Sequence, residues 1–322
     1  MEVGMFGTRG SVSVSSPDMV RYGGNTTCVE VSSDCIPKGH GLAVDCGTGL
    51  IPFTDSLLSR GIMNLDVLMT HSHHDHTMGL PLAGHPFIDA ARIHVWGTNE
   101  HGIGPKEVME YLFKPPFFPV DFALVRHRFV THNLGVIGTQ VLTIHPVGGY
   151  QLHKADVFKQ AEANGQQLSF KGGRRFHIGE CLVVWMYRTL HPEYTVSYRF
   201  EERPTGRVFV FLTDHERTAS FPADLVRHVR KAHLFVQDGQ YSKITYETRT
   251  AGFGHATPEY CVELANLCEV EVLGLTHHDP RAKDTMVDER LVEAKAHAVK
   301  IGCSPKFVEA LFACADYQRL VV

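Results

Sequence analysis

Residues 70–76, Thr-His-Ser-His-His-Asp-His, set four potential metal donors within six positions: His71, His73, Asp75 and His76. Imidazole nitrogen and carboxylate oxygen are the donors that zinc accepts, and manganese or iron as well. A solvated turn has little use for three imidazoles beside a carboxylate. The run Asp66-Val67-Leu68-Met69-Thr70 before the array reads as a short buried strand. The donors then lie on the loop that leaves a strand's C-terminal end, where α/β sheets place their sites.

A site with two metal ions needs more donors than one loop supplies, so we looked at other strand ends. Asp214 follows the near-continuous apolar run Val208–Thr213, where a carboxylate can bridge two cations or merely cap a turn. His277 follows Val272–Thr276, and its neighbour His278 leaves that choice open by one residue. Two His-Pro turns compete for the remaining place, His145 in Ile144-His145-Pro146 and His191 in Leu190-His191-Pro192. His191 is preferred because the candidate strand Tyr194–Phe200 and the Asp214 strand follow it closely. Asp45 either accepts a ligand's free N–H or caps Gly47.

The elements that must position these residues come in two sets. Short apolar stretches at Met1–Phe6, Cys28–Ser32 and Leu42–Val44 suggest a meandering sheet. Helix candidates follow at Leu50–Arg60 and Pro105–Phe113, with a strand at Arg92–Trp96. Later strands are expected at Leu182–Arg188, Arg207–Thr213, Leu234–Gln237 and Val270–Leu275, and helices at Pro222–Lys231, Pro258–Leu267 and Asp284–Lys300. Two strand-then-helix halves imply an α/β sandwich of layers. Residues 131–175, rich in Gly, Gln and His, read as an insertion in a single domain spanning 1–322.

Composition limits the function. The net charge of −4 and pI near 6.6 give no overall basic field for nucleic acid or membrane. No run of about 18 apolar residues and no signal-peptide pattern is seen, so a cytoplasmic protein is expected. Eight scattered cysteines without a C-x-x-C pair read as buried thiols. With 21 histidines in the chain, most cannot be ligands.

The ordered set His71, His73, Asp75, His76, His191, Asp214, His277 resembles that of the metallo-β-lactamase-fold hydrolases. Gly7-Thr8-Arg9-Gly10-Ser11, Arg21-Tyr22-Gly23-Gly24-Asn25-Thr26, Asp45-Cys46-Gly47-Thr48-Gly49, Lys114–Val120, Gly254-His255-Ala256-Thr257 and His277-His278-Asp279-Pro280 are similar to motifs of its phosphodiesterase branch. That branch includes ribonuclease Z and enzymes like cyclic-nucleotide phosphodiesterases. The resemblance implies an αββα sandwich of two packed sheets flanked by helices. It also implies two divalent ions, zinc foremost and manganese as the alternative. His71, His73 and His191 would hold the first ion, Asp75, His76 and His277 the second, with Asp214 between them. Asp75 and His255 would be the catalytic pair. His255 would act as general acid toward the leaving oxygen after attack by a metal-bridging hydroxide. Arg9, Arg21 and Asn25 are candidate substrate contacts, and the aromatic stretch Phe113–Phe122 either covers the site or is core.

The expected activity is hydrolysis of a small nucleotide phosphodiester, a cyclic nucleotide first. Ribonuclease Z-like cleavage of tRNA is the alternative, with RNA as partner. Other readings are a metal-binding sensor or scaffold without turnover, and a thiolester or lactone hydrolase. The tRNA-gripping arm of ribonuclease Z lies between the third ligand motif and the bridging aspartate, yet only 23 positions separate His191 from Asp214. Were His145 the ligand, the insertion at 131–175 would fall in the arm's position, and tRNA cleavage would gain support. An insertion so placed can also build a homodimer contact.

Overall fold

The computed structural model describes residues 1–322. In chain order the strands are β1 (Glu2–Gly7), β2 (Cys28–Ser32), β3 (His40–Val44), β4 (Asn64–Leu68), β5 (Arg92–Gly97) and β6 (Phe129–Asn133). Next come β7 (Gln140–His145), β8 (Gly149–Lys154), β9 (Gln167–Ser169), β10 (Arg175–His177), β11 (Leu182–Arg188) and β12 (Val196–Glu202). The last are β13 (Arg207–Leu212), β14 (Leu234–Asp238), β15 (Val272–Thr276), β16 (Phe312–Ala313) and β17 (Gln318–Val321). Seven strands form the first sheet, in the order β17-β1-β2-β3-β4-β5-β6, and eight form the second, β16-β15-β14-β13-β12-β11-β7-β8.

Alternation decides what faces what. In β11, Leu182, Val184 and Met186 point between the sheets, while Val183 and Trp185 point outward. Val31, Leu42 and Leu68 of the first sheet meet Leu142, Phe200 and Phe209 of the second in the central core. Helices seal the outer faces. Helix Leu50–Ser59 and helix Pro105–Leu112 bury Phe53, Leu57 and Met109 on the first sheet. Helices Ala223–Val229, Pro258–Leu267 and Asp284–Lys300 bury Leu225, Val262 and Ala294 on the second. The expected αββα layering is therefore present. Helix Pro258–Leu267 starts where Thr257 caps it: the Tyr260 N–H donates to the Thr257 hydroxyl, and Pro258 takes the first turn.

Within 131–175, β7 and β8 are strands of the second sheet, and helix Ala155–Ala163 with the β9–β10 ribbon packs beyond them around Phe158, Leu168 and Phe170. The aromatic stretch is core at its two ends, where Phe113 and Phe122 pack against each other and Phe129 on the outer face of the first sheet, while Phe117 between them is exposed. No helix is long and apolar enough to cross a membrane.

Strand direction sets which loops share an end. In the first sheet β3, β4, β5 and β6 run parallel, and two antiparallel pairings bring β1 into the same direction. In the second, β13, β14 and β15 are parallel, and β11 runs the same way because it is two antiparallel steps from β13. The loops after β1, β3, β4, β11, β13, β14 and β15 thus gather along one edge of the sandwich.

Candidate metal centre

Three strand-end residues on that edge have left-handed backbone: Asp45 (φ 61°), Asp214 (φ 46°) and His277 (φ 58°). Residues with a Cβ avoid this region, and its occupation at functional sites is a recurrent use of local strain. Here it turns the side chains back over the strand ends instead of continuing outward.

The side chains converge in three overlapping groups: His71, His73, His191 with Asp214; Asp75, His76 with His277; and Asp214, His277 with Asp238 and His255. Asp214 divides its two oxygens between the first two. Oδ2 lies 3.5 Å from His71 Nε2 and 3.9 Å from His191 Nε2. Oδ1 lies 3.3 Å from His76 Nε2 and 3.2 Å from His277 Nε2. Asp75 Oδ2 stands 3.3 Å from His76 Nε2 and 3.2 Å from His277 Nε2.

The fit to cations rests on orphaned atoms. Nε2 of His71, His76 and His191 are all buried without a hydrogen-bond partner, and all face this cluster. A buried polar atom without a partner costs about 1–3 kcal/mol, so such atoms on both sides of the Asp214 carboxylate call for occupants. Their opposite ring nitrogens are held. His76 Nδ1 is 2.8 Å from Asp45 Oδ2, which also accepts from the Thr70 hydroxyl at 2.8 Å. The Thr70 N–H donates to Asp45 Oδ1 at 2.7 Å. His191 Nδ1 is 3.0 Å from the Gly254 carbonyl. Gly254 has φ 93°, and a Cβ there would stand 2.0 Å from His191 Nδ1, so only glycine fits. Such outer contacts fix ring orientation and tautomer for a metal.

Electrostatics agree. Burial, helped by the charge of His76, pushes His71 well below its ordinary pKa, so it offers a lone pair. Burial would also lower His76, but Asp75, Asp214 and Asp45 outweigh it and hold the ring protonated. Burial pushes Asp214 up, and the imidazoles of His277, His76 and His71 pull it well below its usual range. A cation bound here replaces the proton on His76.

His255 sits beside the cluster, its ring stacked on His277 at 5.0 Å and 5.7 Å from His191. Its Nδ1 is 2.8 Å from Asp238 Oδ2. Burial lowers the pKa of His255, but the Asp238 carboxylate reverses this and carries it to about 9.

The three candidate substrate contacts are each engaged within the protein. Arg9 is fully buried, and its guanidinium donates to the carbonyls of Gly23, Asp279 and Ala282, bracing three loops. Arg21 is exposed and pairs with Asp288. Asn25 donates to the Phe6 carbonyl, and its Oδ1 accepts from the Thr48 hydroxyl. His145 is remote, stacked on Phe176 at 3.7 Å while its Nδ1 accepts from the Val147 and Gly148 N–H groups. His278 turns away, its Nε2 2.8 Å from the Cys314 carbonyl.

Three contributors escaped the sequence reading. Asp238 ends β14 as Asp214 follows β13, so the same strand-end signal marked it. The Ser11 N–H donates to Asp75 Oδ2 at 2.7 Å, a backbone contact that no residue type announces. Glu193 Oε2 lies 2.9 Å from His73 Nε2.

No family profile matches the chain. The ribonuclease Z of Metallosphaera sedula is 23% identical over 279 residues, 80% of this chain and 84% of that protein. Among solved structures, the metallo-β-lactamase-fold protein YhfI of Bacillus subtilis superposes with a TM-score of 0.59 at 14% identity, covering 99% of this chain and 98% of its own. The short form of human tRNase Z superposes with a TM-score of 0.58 at 18% identity, covering 100% and 99%.

Proposed function

We propose that this chain, whose fold is that of the metallo-β-lactamases and whose likeness to the phosphodiesterase branch of those hydrolases is borne out, hydrolyses a small nucleotide phosphodiester with two divalent metal ions, a cyclic nucleotide being the first candidate. One observation carries the reading: Asp214 turns one oxygen to His71 and His191 and the other to His76 and His277. That is the disposition of a carboxylate shared by two cations.

His71, His73 and His191 would hold one ion, and Asp75, His76 and His277 the other. Zinc suits these donors, and manganese is the alternative. Ions in this position supply a water ionised near neutral pH and offset charge on the phosphate oxygens. The protein does the rest. Asp45 and the Gly254 carbonyl hold the rings of His76 and His191 in place. Ser11 and His277 hold Asp75 Oδ2. Asp238 fixes His255 through Nδ1, leaving Nε2 to carry a proton for the departing alkoxide.

Two features favour a small substrate. The chain between His191 and Asp214 is taken up by β12, β13 and the turn joining them, which leaves no length for a projecting arm. The edge of the cluster also carries the half-exposed carboxylate Glu193, which opposes a polyanionic backbone. The similarity to ribonuclease Z over most of both chains favours the second reading, cleavage of a tRNA precursor. Cyclic mononucleotides, cyclic dinucleotides, bis(4-nitrophenyl) phosphate and a tRNA precursor, each tried with zinc and with manganese, separate the two. Turnover of a cyclic nucleotide with the precursor left intact supports the first. Precursor cleavage that weakens steeply with salt supports the second, and no cleavage of any diester overturns both.

A further inference from the structure

We infer that Glu193 is an additional protein ligand to the ion held by His71, His73 and His191, occupying the position that a substrate oxygen must take. The inference rests on the two-metal reading above, and goes beyond its seven donors.

Glu193 Oε2 lies 2.9 Å from His73 Nε2 and 3.5 Å from His191 Nε2. Two donors on one zinc ion, each bonded at about 2.0–2.1 Å, stand roughly 3–3.5 Å apart. The carboxylate oxygen is thus spaced from both imidazoles as a fellow ligand would be. Oε2 is itself buried and makes no hydrogen bond of acceptable geometry, although the side chain as a whole is 46% exposed. Its environment is therefore split. One oxygen is turned inward at the nitrogens, and the rest of the group faces solvent with room to swing away.

The loop that presents it is anchored independently of the carboxylate. The Tyr194 N–H donates to Glu100 Oε2 at 2.9 Å, the Thr195 hydroxyl to the Glu193 carbonyl at 3.3 Å, and the Glu216 N–H to the Leu190 carbonyl. The backbone is thus fixed on both sides of Glu193, and the aim of its side chain does not depend on His73 alone.

Access points the same way. Asp75, His76 and His277 are buried, whereas the His73 side chain is 42% exposed. Solvent, and so substrate, reaches the cluster on the side of the first group, where Glu193 stands. Once His73 gives its Nε2 lone pair to a cation, it can no longer donate from that atom, and Glu193 Oε2 faces the cation instead. Catalytic zinc sites keep one position for water or substrate. A carboxylate in that place is a competitor, held when the site is idle and displaced by a phosphate oxygen.

The test compares wild type with Glu193→Gln, which keeps shape and removes charge. Zinc is titrated against a chromophoric chelator, and inorganic phosphate is measured as an inhibitor of bis(4-nitrophenyl) phosphate hydrolysis. Equal melting of the two metal-free proteins establishes that the variant folds. The expected result is a loss of about tenfold in affinity for one of the two ions, the other unchanged, with phosphate inhibition strengthened severalfold. Unchanged zinc affinities, or an equal loss at both ions, overturn the inference while leaving the two-metal reading intact. Wild-type protein that takes up no zinc or manganese overturns that reading and this inference with it.

Discussion

The first sheet carries two histidine-rich places, and they behave differently. At its strand ends His71 and His76 join His191 and His277 of the other sheet with their Nε2 atoms converging. In mid-sheet His40, Asp66, His94 and His132 occupy neighbouring strands, with Asp66 directly opposite His94. There the groups satisfy each other two by two. His40 Nδ1 lies 2.7 Å from Asp66, and His94 Nδ1 lies 3.0 Å from His132 Nε2. The His132 ring also stacks on Trp96 at 3.7 Å. Side chains standing up from adjacent strands can pair, but a flat surface does not fold them toward one point. Strand-end loops with left-handed Asp45, Asp214 and His277 do. Unpartnered buried nitrogens, more than the density of histidine, separate a metal centre from a polar patch.

The comparison is broken most directly at Asp214. Asp214→Ala removes the one carboxylate facing both groups, so metal content should fall to one ion or fewer and diester hydrolysis at least about a thousandfold, roughly 4 kcal/mol of barrier. His132→Ala, measured by the same elemental analysis, should leave metal content unchanged. Metal lost from the mid-sheet variant, or retained in full without Asp214, would reverse the contrast.

A smaller and more selective effect belongs to His255. His255→Gln should lower kcat about a hundredfold for a diester with an alkoxide leaving group. With a nitrophenolate, which departs without a proton, the loss should be only a few-fold. An equal loss for both substrates would remove proton donation from the role of His255 and leave it a packing partner of His277.

How much of this was legible beforehand follows from the same geometry. Donors that follow long apolar runs, His71 through His76, Asp214 and His277, could be read because a buried strand announces its own end. Both His145 and His191 are His-Pro turns after strands, so the preference for His191 rested only on the strands that follow it in the chain. Direction separates them. β7 runs antiparallel to β11, so His145 ends at the opposite edge of the sheet, beside Cys181, whereas His191 lies on the site's edge. Pairing partners distant in the chain fix that direction, and no window of sequence contains them. The surroundings of Arg9 were hidden for a related reason. A Gly-rich turn allows an arginine either to reach a ligand or to brace carbonyls, and the carbonyls of Asp279 and Ala282 that claim it come from the far end of the chain. Residues 131–175 looked foreign by composition, yet β7 and β8 alternate and pair as regular members of the second sheet.

Asp45 sharpens the comparison from outside the donor set. It touches His76 rather than an ion, so Asp45→Asn should weaken binding of the second ion by about ten- to a hundredfold and spare the first. A chelator titration read at both ions distinguishes this from general unfolding, which would weaken both together.

The mid-sheet pair gives the smallest effect, visible only in metal-free protein. Burial first, and the charge of His94 second, lower the pKa of His132 to about 4. Its folded value is thus below the ordinary 6.5 of an unfolded chain, and the fold prefers the neutral ring. The stability this preference contributes is fully present above about pH 6.5 and is lost as pH falls toward 4, because the unfolded chain takes up the proton first. His132→Phe retains a ring over Trp96 and removes the titration. The urea midpoint of the variant should therefore fall less steeply between pH 6.5 and 4.5 than that of wild type. The difference is modest, since His132 is partly exposed and His153, His215, His228 and His278 are also held below their usual range by burial. Parallel slopes in the two proteins would mean that His132 accepts its proton in place. The mid-sheet pair would then be a second site of positive charge instead of a neutral, self-satisfied one.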